Sequence, residues 1–184
     1  MLKRHKSSRV RRMCSGLLAL LICLQVPNAV SEASQAESQW GSVKDGVGVG
    51  EILIGLSSAA DVETRYGKKY ELVDENKYSY RMEFADLGLA FYYCQKDKKK
   101  RIFLVEVHRG VTSNGLIIGK STLKDVLALY GERTGGDDSI VEFKGVQFYF
   151  EPVPPQAEDE SLQLDRKIVE VDIVAPDKSS NFCD

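Results

Sequence analysis

The residues most suggestive of chemistry begin a short helix-like segment in the second half of the chain. Ser121, Thr122, Leu123 and Lys124 match S-x-x-K, the nucleophile motif of serine β-lactamases and penicillin-binding proteins. That chemistry also needs a second Ser/Asn element of the S-D-N type and a K-T-G strand, and the sequence contains neither. We therefore interpret Ser121 as a helix cap and predict that the protein is not an enzyme.

Three other groups could hold an ion, and each has a simpler interpretation. His108 is the only histidine after residue 33, so no histidine pair can hold a metal or relay a proton. The stretch 135–138 lacks the alternating oxygen ligands of a calcium loop and is typical of a turn. The basic run 96–101 indicates a solvated hairpin turn, with a phosphate-binding or anionic-lipid patch as the alternative. We predict neither a metal nor a cofactor.

Two tyrosines are the main candidates for a binding surface. Tyr92 and Tyr149 follow similar sequences, and their parity is opposite to that of the apolar residues expected to face the core. Exposed aromatic residues on a sheet mark an interface, although the two tyrosines could instead pack between the halves of the chain. The predicted surface for binding another protein consists of this outer sheet face and the hairpin loops. On the sheet face it also includes Leu104, Ile168, Gln147, Arg81 and His108.

The elements that must position these residues occur twice in the sequence. Residues 52–67 (ILIGLSSAADVETRYG) and 116–131 (LIIGKSTLKDVLALYG) share seven positions at a constant offset of 64. The match resumes downstream, where 88–93 correspond to 145–150 and 101–107 to 167–173. Self-similarity at a period of about 60 residues predicts one supersecondary unit used twice.

Each half predicts a short helix followed by strands. Ser57 and Ser121 are expected to cap the helices at their N-termini, and Gly67 and Gly131 at their C-termini. Period-two alternation of apolar residues then predicts three strands in each half. The predicted fold class is α+β, with two tandem repeats that each pack a short helix on an antiparallel three-stranded meander.

The N-terminus has the layout of a secretory signal peptide. Basic residues precede the short apolar run 17–24, and Ser31-Glu32-Ala33 is a plausible cleavage site. The alternative is an uncleaved anchor. Residues 34–184 carry 19 basic and 26 acidic residues, a net charge of −7, which argues against nucleic-acid binding. The predicted organisation is signal peptide 1–33, linker 34–47, first repeat 48–111, second repeat 112–176 and C-terminal tail 177–184.

Cysteine usage agrees with export. Only Cys94 and Cys183 follow the predicted leader. In an oxidising compartment such a pair favours a disulfide, which would tie the tail to the first repeat. Two free thiols, or pairing of Cys183 between molecules, are the alternatives.

The shared pattern I-x-x-G-x-S-x-x-x-D-V-x-x-x-Y-G, followed by strands, resembles a known type of repeat. It is similar to the helix-plus-sheet repeat of β-lactamase-inhibitory proteins and of the BamE/OmlA (SmpA) outer-membrane assembly lipoproteins. The resemblance covers residues 52–174 and implies an exported, non-enzymatic protein-binding module of the bacterial cell envelope. The location would be secreted or periplasmic, and membrane contact would require an uncleaved leader. A membrane-retained assembly or structural factor is the alternative.

Overall fold

A computed structural model describes residues 41–137, 139–153, 163–175 and 183. The predicted signal peptide 1–33 lies outside the described residues, as does the predicted tail 177–184 apart from Cys183. Neither described helix has the length and apolar character needed to cross a lipid bilayer.

The described residues form eleven strands and two helices. The helices are α1 (Ala59–Tyr66) and α2 (Leu123–Tyr130). The strands are β1 (Val43–Lys44), β2 (Gly48–Val49), β3 (Ile52–Leu53), β4 (Glu71–Asn76), β5 (Ser79–Phe84), β6 (Leu89–Cys94), β7 (Ile102–Val107), β8 (Gly135–Gly136), β9 (Ile140–Phe143), β10 (Val146–Phe150) and β11 (Ile168–Val174).

One large sheet dominates the architecture. Its eight strands are antiparallel and run in the order β4-β5-β6-β7-β11-β10-β9-β8. The junction at its centre pairs β7 with β11, although these strands are far apart in the chain. A smaller sheet holds β1, β2 and β3 in that order.

Both helices begin at a capping box. Ser58 and Thr122 are the N-caps, and each side chain accepts from the backbone N–H of an aspartate three residues later, Asp61 or Asp125. The aspartate carboxylate in turn accepts from the cap backbone N–H, so two otherwise unpaired donors are satisfied at each helix start. The predicted caps, Ser57 and Ser121, each lie one residue before the observed cap. Their hydroxyls instead accept from the N–H groups of Leu53 at 2.9 Å and Ile117 at 3.0 Å.

Both helices cover one face of the large sheet, and the apolar core lies between the helices and the sheet. Val62 and Val126 are fully buried there against sheet residues such as Phe91 and Phe148. Aromatic contacts fix the orientation of each helix: the Tyr66 ring lies 5.3 Å from the Phe91 ring, and the Tyr130 ring 5.3 Å from the Phe148 ring. Burying aromatic side chains of this size supplies much of the stability of such a layer.

Two β-bulges shift the alternation of the central strands. Tyr92 pairs with Leu104 while Tyr93 pairs with Ile102, which leaves Phe103 as the extra residue of β7. On β11 the pairing of Tyr149 with Glu170 and of Phe150 with Ile168 leaves Val169 as the extra residue. A bulge changes which residues face the core on one side of it. Ile102 and Ile168 are therefore fully buried, and Val169 is 44% exposed.

The predicted fold class is wrong. The structure is mostly β, with an eight-stranded sheet, a separate three-stranded sheet and two helices of only eight residues each. Two independent helix-plus-meander units do not exist, because β7 and β11 pair and make one continuous sheet. Each half also contributes an edge strand that apolar alternation did not reveal, β4 and β8, since neither has a buried apolar side.

The predicted linker 34–47 extends too far. Val43 lies in β1 and is fully buried in the common core, so the fold begins before residue 48. The same segment contacts the second half of the chain, where the Asp45 carboxylate accepts from the Tyr130 hydroxyl and from Asn114 Nδ2. The polar composition of this segment concealed a buried strand.

Candidate functional site

The side of the large sheet opposite the helices is strongly polar, and we call it the polar face. It carries charged and hydroxyl side chains along the central strands, whereas the other side carries the apolar core. Its central residues are Arg81 on β5, Tyr92 on β6, Leu104 and Glu106 on β7, Glu170 and Asp172 on β11, and Gln147 and Tyr149 on β10.

Three carboxylates converge at the middle of this face, and we call them the carboxylate cluster. Glu106 lies directly opposite Asp172 across the β7–β11 pair. Glu170 precedes Asp172 by two residues and so projects from the same side. One carboxylate oxygen from each of the three lies within 4.8 Å of the others. The large sheet thus brings together acidic groups from two distant parts of the sequence.

Burial makes this cluster electrostatically unusual. Asp172 is only 3% exposed, and burial, followed by the charges of Glu170 and Glu106, raises its pKa to about 7. Burial also raises the pKa of Glu106. Asp172 Oδ2 accepts from the Tyr149 hydroxyl at 3.1 Å. Asp172 Oδ1 is buried and has no hydrogen-bond partner among the residues that the structure describes.

The two tyrosines lie on the polar face as hydrogen-bond donors to this cluster. The Tyr92 hydroxyl donates to Glu106 Oε1, and the Tyr149 hydroxyl donates to Asp172. Burial raises the pKa of both phenols, so both stay protonated and able to donate at neutral pH. Tyr92 is 7% exposed and Tyr149 is half-buried. Neither belongs to the apolar core cluster. They are better placed to orient carboxylates than to act as protruding anchors.

Two basic side chains contact the cluster. Arg81 contacts Glu106 at 3.8 Å and two outer carboxylates, Glu83 at 3.3 Å and Glu75 at 3.4 Å. His108 Nδ1 lies 3.1 Å from Glu170 Oε2, and this hydrogen bond raises the histidine pKa. His108 remains 46% exposed at its side chain.

The other predicted surface residues are placed unequally. Leu104 is half-buried beside Tyr92, and Gln147 donates to Glu142 Oε1 at 2.9 Å on the same face. Ile168 does not belong to this surface: it is fully buried in the core, because the bulge at Val169 reverses its direction. The structure therefore brings together six of the seven predicted residues and excludes Ile168.

Cys94 and Cys183 are joined by a disulfide in the structure. Their Cα atoms are 5.1 Å apart, and the bond spans 89 residues of sequence. Cys94 ends β6 and is fully buried. Its parity matches Tyr92, so the bond lies on the polar side of the sheet.

Sequence reasoning missed all three residues of the carboxylate cluster. Glu106 on β7, and Glu170 and Asp172 on β11, alternate with apolar residues, which is the ordinary pattern of a strand with one solvated side. A signal did exist, because Val105-Glu106-Val107 corresponds to Val171-Asp172-Ile173 in the similar segments. It would have needed the additional knowledge that β7 and β11 are neighbours.

Comparisons with known proteins give little further information. No protein-family model matches the chain, and no curated protein matches it. Among solved structures, the chain is similar to the crystal structure of the uncharacterized protein yfeY from Escherichia coli, with 15% identity and a TM-score of 0.47. The similarity covers 72% of this chain and 99% of that chain. A likeness at this level carries no argument about function.

Proposed function

We propose that this chain is an exported, non-enzymatic module of the cell envelope that binds the basic surface of another protein through its polar face. The observation that carries the proposal is the charge of that face. Its described carboxylates outnumber its described cations, and they extend across five strands. The acidic residues are Glu75, Glu83, Glu106, Glu142, Glu170 and Asp172, and the cations are Arg81 and His108.

Complementary charge gives specificity and steers association, which suits a module that recognises a basic partner. The two helices do not compete for this face, because their buried residues contact the opposite side of the sheet. Half-buried Tyr149 and Gln147 lie between the charged groups and could add contact area to the interface. The sequence resemblance to inhibitory and assembly proteins motivates the same proposal.

The S-x-x-K segment supports a non-enzymatic role. The Ser121 hydroxyl accepts from the Ile117 N–H at 3.0 Å, and the neighbouring Thr122 caps α2. Lys124 is exposed on that helix. Each residue therefore has a structural explanation that requires no catalytic chemistry.

Charge reversal tests the proposal. The double variant Glu83→Lys/Glu142→Lys reverses two charges of the polar face and leaves the three residues of the carboxylate cluster unchanged. The matched control, Glu51→Lys/Glu132→Lys, makes the same change in net charge at exposed positions outside the polar face. The purified wild type and the two double variants are each used to capture partners from an envelope extract, and bound proteins are identified by mass spectrometry.

We expect the polar-face variant to lose a partner that the wild type and the control retain, with at least ~10-fold weaker binding. The wild-type interaction should also weaken as salt rises, because exposed charges are screened. Equal capture by the two double variants, or a partner with an acidic contact surface, would contradict the proposal.

A further inference from the structure

The centre of the polar face contains a buried oxygen atom without a described partner. Asp172 is 3% exposed, and its Oδ1 atom has no hydrogen-bond donor among the residues that the structure describes. A buried carboxylate oxygen in that position is costly unless a cation or a donor reaches it. One oxygen of this carboxylate lies within 4.8 Å of an oxygen of Glu106 and of Glu170.

We infer that Glu106, Glu170 and Asp172 form a binding site for a hard divalent cation of the Ca²⁺ or Mn²⁺ type. All three ligand atoms are carboxylate oxygens, which such ions prefer. Calcium–oxygen distances are about 2.3–2.6 Å, so oxygens on opposite sides of the ion are about 4.6–5.2 Å apart. The spacing within the cluster therefore fits a single ion with only small side-chain adjustments.

Hydrogen bonds from neighbouring tyrosines hold two of the proposed ligands in position, as outer partners do at known metal sites. Tyr92 donates to Glu106, and Tyr149 donates to Asp172, so two of the three carboxylates have a fixed outer partner. The ligands project from adjacent paired strands in the middle of the sheet, a rigid location for a site.

Two neighbouring basic side chains compete for the cluster. Arg81 approaches Glu106 at 3.8 Å and lies closer to Glu83 and Glu75. His108 lies 3.1 Å from Glu170 Oε2 and 3.9 Å from Glu106 Oε2, so an ion bound by Glu170 must displace this contact. Neither side chain has an ion pair with Asp172 among the described residues.

Calorimetric titration of the full chain with CaCl₂ and with MnCl₂, after removal of metals by chelation, tests the inference. No partner protein is present, so the result is independent of the proposed function. The variants are Asp172→Asn and Glu170→Gln, which keep side-chain shape while removing charge. Glu142→Gln is the matched control, since Glu142 lies on the same face but outside the cluster.

We expect one ion per chain to bind to the wild type and to the control, and either cluster variant to bind at least ~10-fold more weakly. The bound ion should also raise the melting temperature of the wild type by several degrees, with little shift in the variants. Unfolding of Asp172→Asn would leave Glu170→Gln as the deciding variant. No binding of either ion at millimolar concentration, or equal binding by wild type and folded variants, would overturn the inference.

Discussion

The two faces of the large sheet differ in chemical character, although the same strands form both. On the helix side, Phe91 and Phe148 are fully buried among apolar side chains and aromatic rings. On the polar side, the neighbouring residues Tyr92 and Tyr149 donate hydrogen bonds to carboxylates. A step of one residue along a strand therefore changes the environment from core to polar network.

This contrast shows where stability and where function are concentrated. Apolar packing between helices and sheet stabilises the fold without any requirement for particular polar geometry. The polar face instead holds acidic groups close together, which costs stability because like charges repel and burial disfavours the charged form. A cluster that costs stability is a candidate for function.

Truncating two adjacent residues of β10 should give the largest difference in stability between the two faces. Phe148→Ala should reduce the free energy of unfolding by ~3–5 kcal/mol, because it leaves a cavity in the core. Tyr149→Ala should reduce it by only ~1–2 kcal/mol, since its main described interaction is one hydrogen bond to Asp172. Urea denaturation followed by circular dichroism measures both. Equal losses would show that the two faces contribute alike to stability.

Reduction of the disulfide is the second test. The Cys94–Cys183 bond closes a sequence separation of 89 residues on the polar side of the sheet. Its loss should lower the free energy of unfolding by ~2–4 kcal/mol, because the unfolded chain regains conformational freedom. Urea denaturation with and without reductant measures the difference.

The single variant Cys183→Ser is the control for this test, and it should match the reduced wild type. Thiol titration of the denatured, unreduced protein checks the bond directly. Two free thiols per chain would contradict it.

The helices were predictable from the sequence, because their signals are local. A hydroxyl residue, an aspartate three positions later, spaced apolar residues and a terminal glycine all occur within about ten residues. The caps were misplaced by one because Ser57 and Ser58 are both hydroxyl residues, and only the fold decides which one caps α1.

The sheet and the cluster were not predictable in the same way. Alternation identifies a strand but not its neighbour, and the pairing of β7 with β11 is what unites the chain into one sheet. A bulge is equally invisible to a period-two pattern, so Ile168 and Val169 were assigned to the wrong faces. The carboxylate cluster depends on both features.

The smallest expected effect comes from a carboxylate in a turn, whose pKa the fold shifts in the direction opposite to that of Asp172. Asp97, in the β6–β7 turn, accepts from Arg101 Nε and Arg101 N at 2.9 Å and from Lys99 N at 3.1 Å. The Arg101 side-chain hydrogen bond, followed by those from backbone N–H groups, lowers the pKa of Asp97 to about 2. This is opposite to Asp172, where burial raises the pKa.

Because the folded-state pKa of Asp97 lies below its ordinary value of 3.8, its contribution to stability is complete above that value. The contribution is then lost as the pH falls toward about 2. Asp97→Asn should therefore lower the free energy of unfolding by ~1–2 kcal/mol at neutral pH, with the gap to wild type closing in acid. Urea denaturation at pH values across this range measures the gap. Asp86→Asn removes an exposed carboxylate that pairs with Lys69, and it should leave the free energy of unfolding nearly unchanged at neutral pH. A wild-type advantage over Asp97→Asn that stays constant down to pH 2 would show that Asp97 stabilises the turn by its shape and not by its charge.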